Sequence, residues 1–488
     1  MIDVDRYLLV RAASVYLTAI CVAVVWFWRR PSRRAAAGAM LASVWNVPPL
    51  VALNLAAGSL GWWSFDAHGG TFLGTPVDLT LAWVLMWGFV PALAFPSWPL
   101  HRLVLLALVV DVVLMPAAFP VVALGPWWLA GEAVALLTCF VPGQVLARWT
   151  ERDDCLNERA TLQFVSFSGL LLFIIPAVAI EGSLRGWSNP LLRPAWQLGL
   201  ILQILAVPGL LGLTALQEFV SRGRGTPVPF DPPRRLVTTG IYAYVRNPMQ
   251  LSAVALLLLL GLIVHSVWVA AAGVMAHLYS LGLAGWDEDD DLRGRFGQEW
   301  IAYRSGVRAW IPRLHPWRPD GPPHAQLFVA GSCNACREVG RWFDRRGAAG
   351  LLIVPAETHP SGSLRRITYE SVDGTYRASG TDAVARALEH VHLGWAMLGF
   401  LLRVPVVCHL IQLVVDASGG EPRQIAGPGA TTKVEVSRAT FVRGTAGGFS
   451  TGAGPRSMTT VKRDVSVHAS PESTERPPVP LQAEESSS

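Results

Sequence analysis

What this 488-residue sequence has least of is charge: Asp, Glu, Lys and Arg make up 15% of it, against roughly 25% in an average soluble protein. With 52% hydrophobic residues, that scarcity excludes an ordinary soluble globule of this length. Lysine occurs only at Lys433 and Lys462, so the basic residues are nearly all arginine, a skew in keeping with a GC-rich bacterial genome. The net charge is only +5, and the arginines sit in short clusters beside apolar runs. That pattern argues against nucleic acid as a partner and for signals of membrane topology. Cysteine is sparse as well: six residues, at 21, 139, 155, 333, 336 and 408, with no spacing of a secreted disulfide framework. A single CxxC, Cys333 to Cys336, leaves a four-ligand zinc site only Cys408, His409, His390 and His392 to draw on, so no metal is expected. The N-terminus lacks the small-residue cleavage site of a removable signal peptide, and its first apolar run reads as a retained anchor.

Long apolar runs are what the chain does have. A spanning helix needs about twenty mostly apolar residues, which predicts spans near 9–28, 38–58, 77–97, 102–123, 126–147, 163–181, 195–218, 249–265 and 267–285. Eight or nine transmembrane helices follow, with twenty Trp to line the lipid boundary. Arginines cluster at 29–34, 148–159 and 222–246, while the loops at 59–76, 117–126 and 265–267 carry no Arg or Lys. The positive-inside rule then places the basic loops, and everything after the ninth span, in the cytoplasm. The fold class is an all-α polytopic membrane protein of the bacterial plasma membrane, followed by a small α/β domain and a disordered tail. The expected divisions are N-terminal helices over 1–230, a hairpin with flanking polar segments over 231–315, a Pro-rich linker over 316–324, the α/β domain over 325–416 and the tail over 417–488. In the α/β domain AQLFVA and LLIVPA read as strands, RRITYES and GTYRAS as a hairpin around Asp373-Gly374, and a helix capped by Thr381 runs through Leu402. Gly, Ser, Thr and Pro dominate the tail, which cannot bury enough apolar surface to fold.

Two polar, aromatic-dotted segments bracket the last apolar hairpin: GIYAYVRNPM from Gly240, and DEDDDLRGRFGQEWIAYRSGVRAWIPR ending at Arg313. Taken singly, Arg246 is an ordinary topology anchor and DEDDD a solvated helix start. Together, at one membrane face, they can wall a pocket for a small polar molecule. Gly240, Tyr242, Arg246 and Pro248, followed by Glu288, Leu292, Phe296, Gly297, Tyr303 and Pro312, resemble the C-terminal signature of the isoprenylcysteine carboxyl methyltransferase and phospholipid N-methyltransferase families. Asn247 stands where those families carry His, Gln250 and Trp300 where they carry Tyr, and Asp289 where they carry a second Glu. The resemblance implies S-adenosylmethionine as methyl donor and a lipid-like or prenylated acceptor entering from the bilayer. Arg246 and Glu288 are the implied catalytic pair, and Tyr242, Tyr244, Arg246, Asn247, Pro248, Glu288, Asp289, Trp300 and Tyr303 the implied cofactor contacts. The chemistry suits the residue types. Arginine pairs bidentately with a carboxylate, aromatic rings face adenine or a sulfonium cation, and an acidic side chain accepts from ribose hydroxyls or serves as base to an amine acceptor.

Cys333-Asn334-Ala335-Cys336 follows a predicted strand and opens a predicted helix, where the positive helix terminus favours a thiolate. LFVAGSCNACREVGRWF and the later YRASGTDAVARAL resemble the DCC family of thiol–disulfide oxidoreductase-like, thioredoxin-fold domains, although Ala330-Gly331 replaces the Asp-Gly usual before the motif. That resemblance implies redox-active Cys333 and Cys336 and a cytoplasmic thiol or disulfide partner. Buried, inert thiols are the plainer alternative for the pair. Other readings of the whole chain stay open. One is a membrane redox protein with an NADPH-dependent reductase-like membrane half. Another is a non-catalytic membrane scaffold carrying an active CxxC.

Overall fold

Apolar segments in hydrocarbon must satisfy their own backbone groups, which favours helices. In the computed structural model, which describes residues 2–181, 189–228, 231–319, 321–361, 364–420 and 422, seven helices are long and apolar enough to cross a membrane. These are α1 (Ile2–Arg29), α2 (Arg33–Ala57), α3 (Val77–Ala94), α4 (Leu100–Ala117), α5 (Trp128–Arg152), α6 (Leu156–Glu181) and α7 (Ala195–Gly223). Two shorter apolar helices, α8 (Pro248–Ile263) and α9 (Val267–Leu281), complete the expected nine runs. Local chemistry sets several boundaries. The Ser32 hydroxyl caps α2 by accepting from the Ala35 amide at 3.2 Å. α3 breaks at Gly88, where a Cβ would lie 2.5 Å from the Ser43 backbone. α4 stops at Ala117, short of the expected 123, because Val122–Leu124 leaves the helix to pair antiparallel with Trp63–Phe65. The tail expected to be disordered lies, from residue 423 on, outside the described residues.

The arginine-rich loops meet at one point. Asp153, in the turn between α5 and α6, pairs with Arg34 at 3.1 Å, Arg159 at 3.1 Å and Arg234 at 2.7 Å, and Arg159 also pairs with Asp231 at 2.5 Å. The start of α2 and the loops after α5 and after α7 therefore share one face. On α7, Gly212 lets Ser252 of α8 approach closely enough to donate to the Pro208 carbonyl at 2.6 Å. Gly261 of α8 in turn lies against the backbone of Ala270, which closes the α8–α9 hairpin tightly.

Beyond α9, α10 (Leu283–Gly306) is kinked at Gly297, whose φ of 51° breaks the helical path. The Pro-rich stretch that follows is held at Arg313 and Trp317. Extended, its amides pair with the segment before α8: Arg313 N–H donates to Tyr244 O at 2.9 Å and Trp317 N–H to Ala243 O at 2.7 Å. Prolines fix the backbone as extended, and the amides between them supply these bonds. The Trp317 indole fills the space a side chain at Gly306 would need and meets Tyr303 edge-on at 5.4 Å.

The α/β unit has four strands, β1 (Ala325–Val329), β2 (Leu351–Pro355), β3 (Thr368–Ser371) and β4 (Arg377–Ser379), in the sheet order β2-β1-β3-β4. β1 and β2 are parallel across α11 (Asn334–Arg345), with Leu327 opposite Ile353. β3 runs antiparallel to β1 and turns back into β4 at Gly374, φ +67°. Leu327, Val329, Phe343, Tyr369 and Ala387 share its core. The single helix expected from Thr381 to Leu402 is instead two, α12 (Thr381–Leu388) and α13 (Leu393–Leu402). The break is paid in polar contacts: Glu389 binds Arg386 and Arg403, and His392 caps α13 by accepting from Gly394 N–H at 3.1 Å. Thr381 is not the cap either. Gly380, at φ +64°, precedes the helix, and the Thr381 hydroxyl donates to Gln412 Oε1 at 3.1 Å. α14 (Pro405–Val415) follows, and the α13–α14 pair is bent by 88°.

Candidate functional site

The first half of the hairpin signature is a tight turn, Gly240–Ala243, leading into the start of α8. Gly240 adopts φ +60°, and a Cβ there would stand 2.9 Å from the Glu218 carboxyl carbon. Only glycine suits both demands. Glu218, wholly buried at the end of α7, accepts from the Thr239 hydroxyl and pairs with Arg386 at 2.7 Å, with Arg222 and Arg403 each at 3.8 Å. The turn is thus held from beneath by a carboxylate that the α/β unit helps to neutralise.

Backbone pairing brings the two halves together. Arg246 N–H donates to Arg308 O at 3.0 Å and Asn247 N–H to Ala309 O at 3.2 Å. Asn247 stands at the N-cap of α8 and Pro248 is its first residue, where a missing N–H costs nothing. The Arg246 guanidinium lies over the Trp300 indole, 5.4 Å from the ring centre. The Trp300 indole N–H donates to Asp289 at 2.9 Å, and Asp289 also pairs with Arg293 at 3.2 Å and with Arg304. Tyr303 is buried, and its hydroxyl donates to the Tyr242 carbonyl at 2.9 Å. Tyr242 meets Phe219 of α7 at 6.3 Å. Tyr242, Arg246, Asp289, Trp300 and Tyr303 therefore form one connected group.

Tyr244 points elsewhere. It is fully buried, donating from its hydroxyl to the Glu389 carbonyl at 2.9 Å, and burial pushes that hydroxyl's pKa well above its ordinary value despite nearby Arg318. The side chain of Glu288 lies outside the described residues, though its backbone belongs to α10. Two polar atoms beside the group are buried without a hydrogen-bond partner among the described residues: Gln250 Oε1, one turn into α8, and His277 Nδ1 on α9. His277 meets Trp310 edge-on at 4.3 Å, next to the residue that pairs with Asn247.

In the α/β unit Cys333 caps α11, its Sγ accepting from the Cys336 amide at 3.3 Å. Both cysteines pack beside Phe328, Ala330, Ala356 and Leu364. Glu357 holds the loop before them, accepting from Gly331 N–H at 2.8 Å and Ser332 N–H at 3.2 Å. Burial raises the Glu357 pKa, but these amide bonds and that of its own backbone outweigh it and leave the value below the ordinary one. Among the described residues no three His, Cys, Asp or Glu side chains group as metal ligands.

Sequence reasoning did not find Glu218, Arg386, Glu389 and Arg403. An acid in the last turns of a spanning helix, and an Arg and a Glu three apart at 386 and 389, were the available signals. Glu218 meets Arg386 and Arg403 across more than 150 residues of chain. The family model described as Phospholipid methyltransferase (PEMT) matches residues 197–299, a span that covers α7, the Gly240 turn, the α8–α9 hairpin and the acidic part of α10. No curated protein and no solved structure matches the chain.

Proposed function

We propose that the protein is an integral membrane S-adenosylmethionine-dependent methyltransferase acting on a lipid-like acceptor, with a thiol–disulfide module fixed beside it. The observation that carries this reading is the convergence of both halves of the signature, Arg246 over Trp300 and Trp300 on Asp289, with Arg246 and Asp289 inside and Trp300 immediately after the region matching the phospholipid methyltransferase family. The surroundings fit the cofactor. Gln250 Oε1 and His277 Nδ1 are buried polar atoms still wanting partners, and the cofactor carries both an ammonium and ribose hydroxyls to meet them. Arg246 holds the cofactor carboxylate, Tyr242 and Trp300 offer ring faces, and Glu288 and Asp289 are the nearby acids. When bound, the cofactor supplies an electrophilic methyl group. A carboxylate acceptor is already ionised, whereas an amine acceptor must lose a proton, for which Glu288 or Asp289 is the base. The site faces the cytoplasm in this reading, on the side where the arginine loops gather at Asp153.

For the α/β unit the support is a CxxC at the N-terminus of a helix inside a parallel βαβ unit, followed by a hairpin and a helix, the arrangement of a thioredoxin-like redox motif. Cys333 attacks a partner disulfide, Cys336 displaces the resulting mixed disulfide, and the partner leaves as a dithiol while Cys333 and Cys336 become the disulfide. Purified protein should bind labelled S-adenosylmethionine and not NADPH, and Arg246→Ala should abolish that binding. Cys333→Ser should remove insulin-disulfide reduction and leave cofactor binding intact. NADPH binding alone would turn the reading towards a reductase, and binding of neither towards a scaffold.

A further inference from the structure

A cavity of about 710 Å³ lies apart from the methyltransferase-like site. α7 separates the two: Ala215 and Phe219 face the Gly240 turn, while Leu213, Leu216 and Val220 line the cavity. Together with Phe164 of α6 these make an apolar strip, flanked on the same two helices by Asn157, Thr161, Gln217 and Ser221. The opposite wall is polar and belongs to the α/β unit, with Arg366, Asp382, Arg403 and His409. The apolar strip comes from the last turns of α7 and the first turns of α6, so the cavity lies where spanning helices leave the hydrocarbon.

α14 forms the rim. By composition the α13–α14 pair is long enough to be counted as a broken span, but its contacts exclude a crossing. α14 has 11 residues, roughly 16 Å of helix against a hydrocarbon core of about 30 Å. Its C-terminal end is tied to the α/β unit. Gln412 accepts from Thr381 N–H at 2.8 Å, and Asp416, just past its last residue, grips Arg366 with both carboxylate oxygens. Yet Val406, Leu410, Leu413 and Val414, spaced to share one helix face, are 68, 56, 52 and 61% exposed, while Cys408 and Gln412 on the other face line the cavity. A helix tied at its C-terminal end to the α/β unit, apolar outward and level with the ends of spanning helices, lies in the plane of the membrane interface.

We infer that this cavity binds a zwitterionic glycerophospholipid from the leaflet on the side of the α/β unit, beneath the in-plane helix α14. The acyl chains follow Phe164, Leu213, Leu216 and Val220, and the headgroup meets the polar wall. Charge there is balanced: Arg366 is matched by Asp416, and Arg222, Arg386 and Arg403 together match Asp382, Glu218 and Glu389. A headgroup carrying both a phosphate and an ammonium adds one partner of each sign, the phosphate to the arginines and the ammonium to Asp382, without leaving a net charge. This lipid is a resident of the fold and does not depend on the methyl-transfer reading.

Cys408, half-buried on the cavity wall and outside any disulfide, reports occupancy. In the full chain with the other five cysteines changed to serine, delipidated in detergent, added phosphatidylcholine should slow labelling of Cys408 by a water-soluble maleimide about tenfold. Phosphatidylglycerol at the same concentration should protect it much less. Leu216→Trp, which fills the cavity, should make labelling independent of lipid. Spin labels at positions 410 and 414 in nanodiscs should be open to oxygen and shielded from a water-soluble nickel chelate. Equal labelling with and without phosphatidylcholine would overturn the site, equal protection by both lipids its zwitterionic preference, and nickel access at 410 and 414 the in-plane placement. Each of these outcomes can occur whether or not the protein binds S-adenosylmethionine.

Discussion

Single residues here act mostly by being held in place, and His390 shows it in the α/β unit. Its Nδ1 lies 2.8 Å from the Ala349 carbonyl and 3.1 Å from the Arg318 guanidinium, and its Nε2 lies 2.9 Å from the Tyr369 hydroxyl. A neutral ring satisfies the first and last of these, donating to the carbonyl and accepting from the tyrosine. Burial, reinforced by Arg318, holds its pKa well below the ordinary 6.5. The unfolded chain takes up a proton near 6.5, whereas the folded one does so only at lower pH. Stability is therefore full above about pH 6.5 and falls as pH drops from there towards the folded value. The unfolding midpoint should decline between about pH 7 and pH 5, and the slope should flatten in His390→Asn; an unchanged slope would remove His390 as the cause. Arg246 is held differently, its guanidinium over the Trp300 ring, 5.4 Å from the centre. Arg246→Lys keeps the charge but loses the planar fork, so cofactor affinity should fall about tenfold by equilibrium binding while Trp300 fluorescence shows the fold intact.

At the scale of elements, periodicity and composition made much of the architecture legible. Long apolar runs became helices, and the four strand segments of the α/β unit appear where alternation and turn residues put them. The two halves of the hairpin signature meet because the apolar hairpin between them brings the chain back, and amides at 246, 247, 313 and 317 then pair across more than 60 residues. Elements whose course depends on distant partners were not legible. The 381–402 run is uniformly helix-favouring, and its break comes from Glu389 and His390 finding partners on Arg403, Arg318 and Ala349. Prolines marked 316–324 as stiff but gave no hint that Trp317 would dock under Gly306. The kink in α10 belongs to this class too. Gly297 sits at φ 51°, a strained region for any other residue, and Trp300 and Tyr303 follow it directly. Gly297→Ala should cost about 1–2 kcal/mol in stability and weaken cofactor binding through displaced Trp300. Binding at native strength in a correctly folded variant would mean that the kink does not place the site.

The whole molecule is joined at Glu218. This carboxylate ends a membrane helix, supports the Gly240 turn through Thr239, and takes its positive partners from Arg222 of its own helix and from Arg386 and Arg403 of the α/β unit. Around it Tyr244 reaches Glu389, and Ala396 and Phe400 of α13 join Ala215 and Tyr242–Val245 in one buried core. Such an arrangement differs from two domains on a string. A tethered redox domain could be removed without loss to the membrane half, but here removal leaves Glu218 buried beside Gly240 without Arg386 or Arg403. Breaking a buried ion pair from one side costs about 3–5 kcal/mol, whereas replacing both partners by apolar side chains of similar size is often neutral. Arg386→Met alone should therefore destabilise the full chain by about that amount and lower S-adenosylmethionine binding, although Arg386 lies in the α/β unit. Glu218→Met with Arg386→Met should recover much of the stability. A thermal-unfolding cycle over the four proteins measures the coupling. If the two single changes simply add, Glu218 and Arg386 do not act as a pair, and the α/β unit is no part of what holds the Gly240 turn.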